Sequence, residues 1–138
     1  MKLVKTVIKG LDGYKNKTLT IDFIAEKRVY EEEAKNFVVT RLISNIYLLN
    51  TITLIGINAS GKTTTLNILS EILKVFIDNK SLNQKNKLFQ YFDEQLDLEN
   101  YFFDDKTVYK LVSTIKNNKE TQVVEFIEEK LFHKSVTS

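Results

Sequence analysis

Apolar and polar residues follow two different periods along this chain, and the switch between them divides it. Residues 3–9 (LVKTVIK) are apolar and β-branched, and residues 18–23 (TLTIDF) set Leu19, Ile21 and Phe23 on one face at period two. Gly10, Asp12 and Gly13 between them have turn composition, so the two runs predict an antiparallel hairpin. Residues 25–36 are polar, and their Glu31-Glu32-Glu33 run reads as a solvated loop or helix face rather than a metal site. Residues 37–48 (FVVTRLISNIYL) mix both periods and predict no single element.

From residue 50 the pattern sharpens. Ile52, Leu54 and Ile55 predict a short buried strand running into Gly56. After Lys62, the residues Leu66, Leu69, Leu73 and Phe76 recur at three- and four-residue spacing with Ile72 beside them, which predicts an amphipathic helix. A polar stretch after Asn79 reads as a linker or loop, and residues 88–97 (LFQYFDEQLD) predict a short helix. Three β-prone runs follow, ENYFF, TVYKLVSTI and TQVVEFIEEKLF, separated by Asp104-Asp105-Lys106 and Asn117-Asn118-Lys119. They predict an antiparallel meander over 99–132.

Composition narrows the class. With 138 residues the chain fits one domain that buries a core, divided into 1–80 (hairpin, strand and helix) and 84–134 (an antiparallel β-subdomain). Its 43% hydrophobic and 28% charged residues are ordinary for a soluble protein, and a net charge of +2 creates no strong field for polyanions. The absence of cysteine excludes disulfide frameworks and thiolate metal sites. Lys2, Lys5 and Lys9 interrupt any signal-peptide core, and no run approaches the ~20 apolar residues of a membrane span. The expectation is a cytoplasmic protein with no membrane partner.

One segment carries chemistry. GINASGKTT matches G-x-x-x-x-G-K-[ST] as Gly56, Gly61, Lys62 and Thr63. The glycines let backbone N–H groups wrap a polyphosphate closely, and the helix opening behind them adds its positive dipole end. In this pattern Lys62 reaches the β- and γ-phosphates, and the Thr63 hydroxyl goes to Mg²⁺. A chance match in a chain of this length occurs in roughly one sequence in several hundred. The motif thus predicts a phosphate site with Mg²⁺ on Thr63.

The rest of the chain offers little to act on a bound phosphate. His133, the only histidine, reads as a surface residue, and Tyr101, Phe102, Phe103 and Tyr109 read as core of the strands. A hydrolase also needs an acid at a strand end to hold Mg²⁺ and a group that orients water. Asp104 and Asp105, after three aromatics, are the nearest imitation, and they open an alternative reading as a phosphotransferase using Asp104. A second alternative is a module that senses nucleotide without hydrolysing it. No NKxD guanine-reading motif occurs.

The order of elements, a hairpin first, then NASGKTTTL, then an antiparallel meander, resembles the ABC-type ATPase heads of the SMC, RecF and OLD group. Within that group the chain is similar to AAA-type ATPases of bacterial genome-maintenance and phage-defence operons. The resemblance rests on IKGLDGYKNKTLTIDF, ITLIGINASGKTTTL, VYKL and FIEEKLF, and only the phosphate loop in it is highly specific. It implies an α/β P-loop NTPase lobe, incomplete, joined to the hairpin and β-meander subdomain. It further implies ATP and Mg²⁺ as ligands of Gly56, Asn58, Ala59, Ser60, Gly61, Lys62, Thr63 and Thr64, with Asn58, Thr63 and Thr64 contacting phosphates or Mg²⁺. Asp12 stands where such heads often carry a basic residue, which leaves Lys15 to supply any charge from that turn. The heads also carry an LSGG-like signature, and no glycine follows Gly61 here, so hydrolysis is expected to require a downstream half. A homo-oligomer or a partner chain completing the head, and nucleic acid bound through the full assembly, are the partners it implies.

Overall fold

A computed structural model describes residues 1–24, 39–43, 46–49, 62–76, 90–118, 120 and 123–136. The expected strand at 52–55 and the acidic run at 31–33 lie outside the described residues. Five strands, β1 (Lys2–Lys9), β2 (Thr18–Asp22), β5 (Gln95–Asp104), β6 (Thr107–Asn118) and β7 (Val123–Ser135), form one sheet in the order β2-β1-β5-β6-β7. Within 37–48, β3 (Val39–Ile43) and β4 (Ile46–Leu49) pair as a separate two-stranded ladder. The described residues contain one α-helix, α1 (Lys62–Phe76).

Every described strand pair is antiparallel. This overturns the expected α/β P-loop NTPase lobe. A parallel lobe needs strands joined by crossover helices and buried on both faces. Here β5 alternates buried and half-exposed residues along its length, and β5 and β6 are joined by a two-residue turn. The helix lies on one face of an antiparallel sheet. The hairpin of residues 3–9 and 18–23 is present as β1 and β2, with Ile8 opposite Leu19 and Thr6 opposite Ile21. β1 also pairs with β5, so hairpin and meander are parts of one sheet.

Two local expectations are corrected as well. The short helix expected over 88–97 is absent from its described part, because β5 begins at Gln95 and Leu96 and Leu98 enter the core at period two. The helix stripe is rotated by about one residue. Ile68, Ile72 and Val75 are buried, whereas Leu66 is 53% exposed and Leu69 and Leu73 are half-buried.

The core lies between α1 and one face of the sheet. Ile68 and Ile72 pack with Ile8, Leu11, Phe92, Leu96, Leu98 and Ile115. Burying Ile68, Ile72 and Val75 stabilises the helix–sheet contact by roughly 1.5–3 kcal/mol per side chain. A β-bulge between Leu3 and Lys5 lets consecutive residues Leu3 and Val4 both be buried. Polar side chains interrupt this face. Thr6 donates from Oγ1 to Asn100 Oδ1 at 2.7 Å, and Asn100 Nδ2 and Ser113 Oγ are buried without a protein partner. Of the aromatics expected in the core, only Phe102 is fully buried; Tyr101 and Phe103 point to the opposite face, and Tyr109 is half-buried. On that outer face Lys110 and Lys5 lie 5.5 and 6.0 Å from the centre of the Tyr101 ring.

Candidate functional site

The β1–β2 connection and the start of α1 meet at one end of the sheet. Gly10 leaves β1 at φ 105°, and its N–H and that of Leu11 donate to the Lys17 carbonyl at 2.8 and 3.0 Å. A Cβ on Gly10 would lie 2.4 Å from the Gln95 carbonyl oxygen, so glycine allows β1 to leave the sheet against the start of β5. The Asp12 N–H donates to the Tyr91 carbonyl at 2.8 Å, which ties the turn to the segment preceding β5. A 3-10 turn over Lys15–Lys17, with Asn16 and Lys17 in the left-handed region, returns the chain to β2.

These constraints place Tyr14 against the core and its hydroxyl 2.8 Å from Thr65 Oγ1. Thr65 stands in the first turn of α1, so the connection is pinned to the helix start across 51 residues of sequence. No pattern in the sequence signals this bond, because both side chains sit in runs whose residue types suit many contacts.

Of the expected phosphate-binding residues, Gly56, Asn58, Ala59, Ser60 and Gly61 lie outside the described residues. Lys62 is the first residue of α1. Thr63 is exposed and Thr64 half-buried, both in the first helical turn. No acidic residue occupies that first turn. The N–H groups opening an α-helix have no intrahelical acceptor, and the dipole there favours anions. Lys15 is exposed on the 3-10 turn beside Tyr14, whereas Asp12 faces Lys17, with Oδ1 4.0 Å from Nζ. Lys15 and Lys17 are thus the basic residues of the β1–β2 connection.

Asp104 lies elsewhere. It ends β5 opposite Thr107, and its carboxylate is 3.4 Å from the amino group of Met1. Leu96, under the helix, and Asp104 are eight residues apart on one strand, a separation of roughly 26 Å. Asp104 and the first turn of α1 are not brought together. His133 is exposed on β7 and tilts 6.4 Å from the Tyr109 ring, in keeping with a surface residue. Among the described residues no three histidine, aspartate or glutamate side chains cluster to hold a metal, and no helix is long and apolar enough to cross a membrane.

Comparison with protein-family models, with curated proteins and with solved structures returned no match. The resemblance to ABC-type ATPases thus stands on the phosphate-loop pattern and the order of elements.

Proposed function

We propose that the chain binds ATP with Mg²⁺ through Gly56 to Thr64, in the manner of the ABC-type ATPases it resembles. One observation carries the reading: GINASGKT runs directly into a helix that begins at Lys62 and leaves Thr63 exposed in its first turn. A triphosphate fits the groups present there. Backbone N–H groups at a helix start and the helix dipole suit anionic oxygens, and a primary amine adds a point charge. Thr63 offers a hydroxyl oxygen to a hard cation, with phosphate and water oxygens completing its shell. Bound Mg²⁺ neutralises charge shared between the β- and γ-phosphates. Tyr14, through Thr65, holds the first turn against the sheet, so the amides are positioned before the ligand arrives.

Turnover is a separate matter. Asp104 lies at the far end of β5 and no glycine follows Gly61, so Asp104 is not the acid beside Thr63 and the sequence holds no LSGG-like segment. The lone chain binds nucleotide and does not hydrolyse it, because phosphoryl transfer depends on positioned charge and an oriented water.

Calorimetric titration with ATP and Mg²⁺ tests the reading. Lys62→Ala should weaken binding at least tenfold, about 1.4 kcal/mol, while circular dichroism shows the fold retained. Equal affinity in parent and variant removes the site from Gly56–Thr64. Phosphate release by the lone chain that is lost in Lys62→Ala would overturn the separation of binding from turnover.

A further inference from the structure

We propose that β7 is the pairing edge of a two-fold dimer, in which a second copy of this chain adds its own β7 antiparallel to the first. The two edges of the five-stranded sheet differ. β2 is five residues long and half-buried over most of its length. β7 is thirteen residues long, about 43 Å, and its residues from Glu125 to Ser135 are all exposed. Four of the six large apolar side chains that stand exposed among the described residues are on it: Phe126, Ile127, Leu131 and Phe132, at 38, 55, 63 and 53% exposure. They serve both faces, since Leu131 lies opposite Leu111 on the core face and Phe132 opposite Lys110 on the outer face. A long open edge with apolar side chains on both faces is a template for another strand.

The charges on β7 identify that strand. Glu125, Glu128 and Glu129 occupy its first half, and Lys130 and Lys134 its second. Charges of one sign would only repel a second copy. Glu128, Lys130 and Lys134 share the outer face and Glu129 lies on the core face, and Lys130 already pairs with Glu128 within the strand. A parallel pairing sets like charges side by side, whereas an antiparallel pairing centred on Leu131 sets Glu128 opposite Lys134 on both sides of the axis. An antiparallel pairing of identical strands is related by a two-fold axis, so the interface closes on itself after two copies. No group used for nucleotide binding lies on β7, and the dimer does not depend on the phosphate-site reading.

Sedimentation of the nucleotide-free chain over a range of concentrations is the first test, with a dimer expected that weakens as salt rises. Two charge-reversed chains make the second. One carries Glu125→Lys, Glu128→Lys and Glu129→Lys; the other carries Lys130→Glu and Lys134→Glu. Each alone should dimerise at least roughly tenfold more weakly than the parent, and an equimolar mixture should recover a one-to-one dimer. The lack of cysteine allows a third test, a single spin label at Ser135→Cys. Antiparallel pairing centred on Leu131 sets the two labels about 26 Å apart, against about 5 Å for a parallel pair. A parent that is monomeric throughout, reversal variants that dimerise as well as the parent, close labels, or open-ended oligomers would each overturn the proposal. Thermal melts establish that the reversed chains fold; should either fail, the parent's stoichiometry and the label distance decide alone.

Discussion

Gly10→Ala is the most searching perturbation of this fold, because two separable penalties meet at one backbone position. The first is conformational. At φ 105° an L-residue adopts a region its Cβ disfavours, at about 1–2 kcal/mol. The second is steric. The new Cβ would sit 2.4 Å from the Gln95 carbonyl oxygen and 3.5 Å from Leu96 Cα, and both are backbone atoms of β5. Relief requires the ends of β1 and β5 to separate, and Ile8 and Leu96 beside them are fully buried under α1. Gly13→Ala supplies the control. Its φ is 84°, yet nothing lies within 4 Å of the added Cβ, so only the conformational penalty applies.

We therefore expect Gly13→Ala to lose about 1–2 kcal/mol and Gly10→Ala at least about 3 kcal/mol, a total set by strain plus clash. Urea unfolding followed by circular dichroism measures both, with the m-value checking that the unfolded states match. At roughly 3–5 °C per kcal/mol for a chain of this size, the melts should separate by several degrees. Equal losses in the two variants would refute the close approach of Gly10 to β5. Because the same connection carries Tyr14, Gly10→Ala should also weaken ATP binding, whereas Gly13→Ala should leave it nearer the parent.

Asp105 and Lys106 occupy the β5–β6 turn at φ 41° and 59°, a type I′ geometry that favours Asn-Gly. Asp105→Asn with Lys106→Gly should raise stability by about 1 kcal/mol, and an unchanged melting temperature would contradict the turn assignment. On α1, Ile72→Ala should lose about 2–5 kcal/mol, and Leu66→Ala should stay within about 0.5 kcal/mol, by urea unfolding; the reverse order would restore the Leu66 stripe as the core face. Thr6→Val strips the buried Asn100 of its hydrogen-bond donor and should lose about 1–3 kcal/mol, whereas Thr6→Val with Asn100→Leu should recover much of it, a coupling readable in a double-mutant cycle.

The hairpin and the meander were legible because their alternation is local. Leu19 and Ile21, and Leu96 and Leu98, declare a face at period two whatever lies beyond them. Pairing of β1 with β5 joins residues about ninety to a hundred apart, and no local signal records it. The helix itself was legible but its face was not. Leu66, Leu69, Leu73 and Phe76 keep helical spacing as well as Ile68, Ile72 and Val75 do, and only the sheet beneath decides between them. Residues 88–97 misled for a related reason, since Leu88, Tyr91, Phe92 and Leu96 also fit a helical stripe. The α/β expectation failed because it came with the resemblance, whose one specific part, the phosphate loop, says nothing about the direction of the strands around it.

The position of α1 separates what stabilises the molecule from what would bind a ligand. Ile68, Ile72 and Val75 anchor the helix roughly two to four turns behind its start, while Tyr14 fixes Thr65 in the first turn. Thr63 then projects from a turn whose place is set by other residues and that carries no buried apolar group of its own. Substitution of Thr63 should act on metal and phosphate affinity with little effect on unfolding, and substitution of Ile72 on unfolding first. Tyr14→Phe belongs between the two. It removes one hydrogen bond, worth about 0.5–1.5 kcal/mol, from the contact between the turn and the helix start. Its loss would be shared between stability and ligand affinity, and a loss confined to stability would show that the first turn is positioned by the core alone.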